Sequence, residues 1–306
     1  MYAKYVYSAG SSQAQVLADV VAILTGTTDV ATLSASCNKA LSSITATVAA
    51  GWAVHDVSAA INAQALRAAN ADSSSYKYVV IDTNTAGAIF AKVYESWDAG
   101  THVGSNLAYN SDVASYAQRL DLSNGGTLYI LASARFLLLA SSIAAGWGSP
   151  SNGGPSGCFE RSRACLWDTP SFGFPPALFI NFGYAVANDT GAFTPRKYTS
   201  GMATQTGSSA SHSLTANHGT LSAYCTAISG QKVPAADGSM WIPFIPIGVA
   251  DAAAMPCLYG DISTICDVWA MPSSVASNLD VISKNGANYL CLQASSTTKM
   301  ILVRVS

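Results

Sequence analysis

Charge is what this sequence has least of. Asp, Glu, Lys and Arg make up 10% of its 306 residues while 50% are hydrophobic, against roughly 25% charged in an ordinary soluble domain. Ser, Thr, Asn, Gly and Ala must therefore cover much of the surface. A hydroxyl or amide costs far less to bury against a partner than an ion does, so such a skin suits a subunit that disappears into an assembly. A secreted domain with a Ser/Thr-rich surface is the alternative that the same composition allows. A net charge of -2 and a pI near 6.0 leave no electrostatic footprint for nucleic acid, and no Lys/Arg run is interleaved with aromatics. Nucleic acid is not expected as a partner.

Catalytic signatures are missing too. Histidine occurs only at His55, His102, His212 and His218, with no HExxH helix. There is no GxSxG elbow, no GxxxxGK[ST] phosphate loop and no GxGxxG after a strand. The seven cysteines (Cys37, Cys158, Cys165, Cys225, Cys257, Cys266 and Cys291) are odd in number and lack CxxC spacing, so they read as small buried hydrophobes rather than zinc ligands or disulfides. The chain opens MYAKYVY, with neither a basic nor an apolar leader segment, and is expected to fold in the cytoplasm where it is made. Residues 128–147 have the length of a membrane span but contain Arg135, and residues 240–255 contain Pro243 and Pro246. Neither suits a transmembrane helix.

Carboxylates are the remaining candidates for chemistry. Glu95 and Asp98 flank Trp97 at the end of the stretch YKYVVIDTNTAGAIFAKVYESWD (residues 76–98). A glycosidase needs two carboxyl groups facing each other across a sugar. Residues three apart on a strand point to opposite faces, and Asp98-Ala99-Gly100 reads as a turn. The run FERSRACLWDTP (residues 159–170) gathers Glu160, Arg161, Arg163 and Asp168 beside two aromatics. It reads as a buried ion-pair network or as an active site without its nucleophile. His55 and Asp56, neighbours on a strand, are expected to face opposite ways. The expected site set is accordingly empty: no catalytic, cofactor-binding or metal-ligating residue, no cofactor, and no enzyme.

Short β signals dominate the organisation. An opening strand is followed by Ser11-Ser12 as helix caps and a helix over residues 13–24, with Val16, Val20, Ile23 and Leu24 at helical spacing. A second helix is expected over residues 34–45, and strand alternation resumes at residues 51–57. Strands follow at 76–82 and 88–97, at 128–134 after Asn124-Gly125-Gly126, and at 221–228, 263–270, 289–293 and 300–305. The hairpin of residues 76–98 is expected to be core, with Trp97 anchoring its end and Glu95 and Asp98 taking hydrogen bonds or an Arg119 or Arg135 partner. Residues 148–157 form the most linker-like loop, and residues 199–217 read as a mobile or partner-ordered polar stretch. The expected fold is mainly β (α+β): a β-sandwich-like core of short antiparallel strands with a small helical element near the N-terminus. Residues 1–120 and 121–306 form either two regions or one continuous domain.

The runs LADVVAILTGTTD (17–29), LSASC (33–37), GWAVHD (51–56), YKY (76–78), VYESW (93–97), NLAYNSD (106–112), GTLYI (126–130) and FERSR (159–163) resemble virion structural proteins of tailed bacteriophages, among their tail, baseplate and fibre-associated components. The resemblance implies a structural subunit of the virion tail region, made and assembled in the host cytoplasm. Its partners would be itself, as a homo-oligomer, and other tail or baseplate proteins, with no membrane span. A host-glycan-binding or polysaccharide-degrading tail protein is the alternative. Degradation would draw on Glu95, Asp98, Glu160 or Asp168, and binding on exposed aromatics such as Trp147, Trp167 or Trp241.

Overall fold

The computed structural model of the chain describes residues 2–25, 43–44, 51–58, 63–69, 76–83, 89–110, 124–141, 156–160, 177–181, 196–199, 202–206, 212–216, 219–228, 233–234, 240–241, 244–251, 258–293 and 299–305. They are mainly strands in antiparallel sheets, with a small helix near the N-terminus.

The chain begins with β1 (Tyr2–Ala9), and the first helix, α1 (Gln13–Thr25), starts where Ser12 caps it: the Ser12 hydroxyl accepts the Gln15 backbone N–H at 3.1 Å. Val16, Val20, Ile23 and Leu24 are fully buried, as their spacing requires. Asp19 is buried among them because it is satisfied twice: Tyr7 of β1 donates its hydroxyl at 2.7 Å, and Gln15 one turn earlier donates its amide at 2.7 Å. The Tyr7 bond fastens α1 to β1, and the Gln15 bond holds the carboxylate within the helix.

A six-stranded sheet runs in the order β11-β10-β9-β8-β1-β2, built from β2 (Ser43–Ile44), β8 (Asn124–Ala132), β9 (Phe136–Ser141), β10 (Ser156–Glu160) and β11 (Ala177–Asn181) around β1. It takes two strands from before residue 120 and four from after it. A five-stranded sheet runs in sequence order, β3 (Ala53–Ser58), β4 (Ala63–Ala69), β5 (Tyr76–Thr83), β6 (Ile89–Asp98) and β7 (Val103–Asn110), each strand pairing with the next. The two sheets meet where the Trp52 indole donates to the Ser133 carbonyl in the β8–β9 turn at 2.8 Å. Gly51, at φ +80°, passes so close to Ala134 that an added Cβ would lie 3.0 Å from the Ala134 Cβ.

Smaller pairings follow: β12 (Arg196–Thr199) with β13 (Met202–Thr206); β14 (His212–Ala216) between β15 (Gly219–Thr220) and β19 (Gly248–Asp251), the latter also paired with β20 (Leu258–Asp261); and β16 (Val233–Pro234) with β17 (Met240–Trp241). A second five-stranded sheet closes the chain in the order β18-β21-β24-β23-β22: β18 (Ile245–Pro246), β21 (Val268–Pro272), β22 (Val281–Lys284), β23 (Ala287–Gln293) and β24 (Lys299–Arg304). One face of it, with Val268, Ala270, Leu290, Leu292, Ile301 and Val303, packs on Tyr129, Leu131, Phe136 and Leu138 of β8 and β9. The side-chain period of two explains why alternate residues of these strands form a single core. The opposite face buries Met271, Tyr289, Cys291, Met300 and Leu302 in a second cluster beneath Phe244 and Trp269.

Several segments differ from the sequence expectation. Leu221–Ile228 is a helix, not a strand, because Leu221, Tyr224, Cys225 and Ile228 recur at helical spacing; Cys225 is fully buried in the main core. Ser263–Cys266 is a short helix ahead of β21, ended by Asp267 in the left-handed conformation at φ 54°. Ser43–Ile44, placed by the sequence in a helix, pair with Lys4 and Ala3 of β1 as β2; the rest of that expected helix lies outside the described residues. The polar stretch 199–217 contains β13 and β14, because Thr- and Ser-rich alternation fits a pleated surface as well as it fits a loop. Residues 128–141 form no helix: they hold most of β8 and the whole of β9, with exposed Arg135 in the tight turn where Ser133 N–H donates to the Phe136 carbonyl at 2.9 Å, and residues 142–147 lie outside the described residues.

Candidate functional site

The first five-stranded sheet is not flat. Asp56 on β3 lies in register with Ala65, which pairs with Val80, which pairs with Lys92 on β6. Trp97 lies five residues beyond Lys92 on the same strand. In a flat sheet three strand steps of about 4.8 Å and five residues of about 3.3 Å would hold Asp56 and Trp97 roughly 20 Å apart. Yet the Trp97 indole donates to Asp56 Oδ2 at 2.8 Å. The sheet therefore coils until its first strand meets the far hairpin.

Four side chains make the seam. Asp56 Oδ2 also accepts from His102 Nδ1 at 2.8 Å, and His55 Nε2 lies 3.3 Å from the Trp97 carbonyl. Local sequence explains how they converge. The register shifts between Val54 and Asp56, a bulge that lets the neighbours His55 and Asp56 both reach Trp97, against the expectation of opposite faces. Asp98 begins the β6–β7 turn, its Oδ1 accepting the N–H groups of Gly100 at 2.7 Å and Thr101 at 3.2 Å. His102 then takes φ +56°, a left-handed conformation that turns its ring back toward β3. On the hairpin beyond, the Ser96 and Ser105 hydroxyls bond across the register pair they form.

The Asp56 side chain is only 8% exposed, whereas that of His102 is 44% exposed. Desolvation pushes the Asp56 pKa up, but the hydrogen bonds from Trp97 and His102 and the attraction of the imidazole together outweigh it, so the net shift is downward. The carboxylate is ionised at neutral pH and can only accept. His102 Nδ1 must therefore carry the proton, which leaves Nε2 as the outward-facing nitrogen. The arrangement orients an imidazole and ties two parts of a coiled sheet together. The Asp98 pKa is lowered too, first by the Gly100 and then by the Thr101 backbone N–H.

A second carboxylate hub lies on the C-terminal sheet. Asp267 Oδ1 accepts the Trp269 indole at 2.7 Å and the Tyr289 hydroxyl at 3.1 Å, and Oδ2 accepts from Arg304 Nη1 at 3.2 Å. Phe244 meets Tyr289 edge-on at 4.8 Å and Trp269 at 6.3 Å between ring centroids, and Lys284 Nζ sits 3.8 Å over the Phe244 ring. Burial lowers the Lys284 pKa, and the Tyr289 pKa is raised by burial first and then by Asp267.

The four carboxylates singled out by sequence are not drawn into one site by any of these contacts. Asp98 is exposed and holds its own turn. Glu95 is on β6 and Glu160 on β10, opposite Ala177, with side chains outside the described residues, as is the whole of Asp168. His212 is on β14, opposite Asp251, while His218, Arg119, Trp147 and Trp167 lie outside the described residues; Trp241 is on β17. Sequence reasoning missed Asp56 with His102 and Asp267 with Trp269 as pairs. The second had a signal: an Asp two residues before a Trp, a spacing that puts both on one face of the strand expected over residues 263–270. Among the described residues no three His, Cys, Asp or Glu side chains stand together as a metal site, and no helix is long and apolar enough to cross a membrane.

Antiparallel sheets, a coiled five-stranded unit and structural carboxylate hubs define a mainly β protein. No protein-family model matches the chain, and no curated protein matches it.

Proposed function

We propose that the chain is a structural component of a tailed bacteriophage virion, a tail, baseplate or fibre-associated subunit that assembles by self-association and by contact with other tail proteins. The observation that carries this reading is a surface poor in charge that leaves valines exposed on strands: Val6, Val54, Val57, Val103 and Val281. Exposed apolar side chains on strands invite pairing with another chain unless charge blocks it. The two carboxylate hubs support the reading as well, since the groups bonded to Asp56 and Asp267 are structural donors: indoles, a phenol, an imidazole and a guanidinium. The role described is not enzymatic and needs no cofactor. The test is sedimentation velocity of the purified protein together with labelling of intact particles by an antibody raised against it. A discrete oligomer and tail-region labelling are expected. A monomer at micromolar concentration that leaves particles unlabelled would overturn the reading.

One observation favours glycan binding as a second reading. Phe244 and Trp269 are half-buried beside the exposed Arg304 and the half-buried Lys284, and aromatic faces next to hydrogen-bonding groups suit sugar rings. Glycan-array binding that is abolished by Trp269→Ala, with the melting temperature unchanged, would favour it.

A further inference from the structure

We infer that Asn285, in the exposed turn between β22 and β23, is a site of spontaneous chemical modification, deamidated through a cyclic imide to aspartate and isoaspartate.

The chemistry sets what the site must offer. The backbone nitrogen of the residue after the asparagine, stripped of its proton by hydroxide, attacks the side-chain carbonyl carbon. The new C–N bond closes a five-membered succinimide and ammonia leaves. Water then opens the ring at one of its two carbonyls. Opening at the side-chain carbonyl gives aspartate; opening at the main-chain carbonyl gives isoaspartate, whose backbone runs through the former side chain and is one methylene longer. A following glycine, having no Cβ, leaves the attacking nitrogen least hindered. Asn precedes Gly at Asn124, Asn152 and Asn285, and Asn152 lies outside the described residues.

The fold separates the two that remain. Asn124 opens β8 and pairs in register with Ala9 of β1, while Gly126 pairs with Tyr7, so the attacking nitrogen, that of Gly125, is held inside the ladder. β1 encloses it closely: a Cβ on Gly125 would lie 2.9 Å from both Ala9 N and Tyr7 O. Asn285 and Gly286, by contrast, are both exposed. They are the two central residues of the hairpin closed by the Lys284–Ala287 pair, with φ of +52° and +79°. Among the described residues neither the Asn285 side-chain amide nor the Gly286 N–H has a hydrogen-bond partner, and a Cβ on Gly286 would meet nothing within 4 Å. Asn285 must leave its left-handed conformation to bring its side chain to Gly286 N. Opening this exposed turn costs less than parting β1 from β8.

The consequence falls on the C-terminal sheet. Lys284 is the one charged residue of β22 (VISK), and its ammonium lies 3.8 Å over the Phe244 ring. Either product puts a carboxylate on the next residue. Aspartate suits the first central position of the same turn, whereas isoaspartate lengthens a two-residue connection that sets the Lys284–Ala287 and Ser283–Asn288 register.

The experiment is incubation of the full chain at mildly alkaline pH, folded and in guanidinium, with peptide mapping by mass spectrometry over time. In the folded chain conversion at Asn285 is expected at least about tenfold faster than at Asn124, equivalent to ~1.4 kcal/mol or more of difference in local opening. In guanidinium the two sites should convert at similar rates. The aged protein should melt below the parent, while Asn285→Asp, which carries the charge without the methylene, should melt like it. Asn285 remaining intact in the folded chain, or reacting there no faster than Asn124, would overturn the inference. Aged protein that melts like the parent would overturn the loss of register.

Discussion

Asp56 and His102 are 46 residues apart in sequence and 2.8 Å apart in the fold, a bond that joins the first strand of a five-stranded sheet to its last turn. Removing the carboxylate strands the Trp97 indole N–H more than the imidazole, because His102 is exposed enough for water to replace its partner. Asp56→Ala is expected to cost roughly 1–3 kcal/mol, the usual range for a half-buried donor left unpaired. Trp97→Phe removes the same N–H together with part of the indole ring, so a packing loss adds to the lost bond and the cost should be comparable or larger. Urea unfolding of both variants measures the difference, and equal stability to the parent would show that the seam is not a stabilising clasp.

The same bond sets a pH dependence. The folded pKa of Asp56 is lowered from the usual carboxylate range, so its contribution is present above the unfolded pKa and is lost as pH falls through the depressed folded value. The stability gap between parent and Asp56→Asn should be constant from pH 7 to about 5 and should shrink as pH falls below about 4. Asp98, also lowered, contributes in the same direction, and the double variant with Asp98→Asn separates the two. A gap that widens in acid would contradict the assignment.

Buried Asp19 gives a second stability test. Tyr7→Phe removes the hydroxyl donated to Asp19 Oδ2 and leaves the ring in place. A loss of about 1–3 kcal/mol is expected in urea unfolding, with α1 melting together with β1 rather than ahead of it.

Two glycines at positive φ separate backbone strain from steric clash. A Cβ on Gly286, at φ +79°, would meet nothing within 4 Å, whereas on Gly125, at φ +80°, it would lie 2.9 Å from both Ala9 N and Tyr7 O. Gly286→Ala is expected to cost about 1 kcal/mol from conformation alone, and Gly125→Ala distinctly more, because backbone atoms cannot move aside. Thermal melting of the pair decides it.

The cysteines yield a chemical test. Burial pushes the thiols of Cys225 and Cys291 up to about 12, far from ionising at neutral pH, and Cys266 is buried as well. These three are expected to resist a thiol-reactive disulfide reagent at pH 8 in the native state and to react once guanidinium unfolds the chain. Mass spectrometry of labelled peptides identifies which sites react.

Much of the fold was legible where the periodicity was local. Ser12 and the spacing of Val16, Val20, Ile23 and Leu24 marked α1 nearly to the residue. The hairpin of residues 76–98 formed as β5 and β6, whereas Asn124-Gly125-Gly126, expected as a turn ahead of a strand at 128–134, belongs to β8 itself and pairs with the end of β1. Trp97 does anchor the strand end, through its indole, and Asp98 finds backbone donors rather than an arginine. Asn285-Gly286, the strongest two-residue hairpin signal in the C-terminal part, forms the β22–β23 turn, with φ values of +52° and +79°. Leu221–Ile228 was misread because its apolar run is short enough to fit either period.

The sequence by itself determined the charge-poor surface, the antiparallel strand content and the capped first helix, because each of these depends on residues within a few positions of one another. Only the tertiary structure decided which carboxylates matter. Asp56 meets Trp97 and His102 because a bulge in β3, the coiling of five strands and a left-handed residue in the β6–β7 turn act together. Asp267 meets Tyr289 and Arg304 because β21, β24 and β23 are neighbours in one sheet. Such meetings join residues separated by 22 to 46 positions, and a pattern with a period of two or 3.6 carries no information about which distant strand lies alongside.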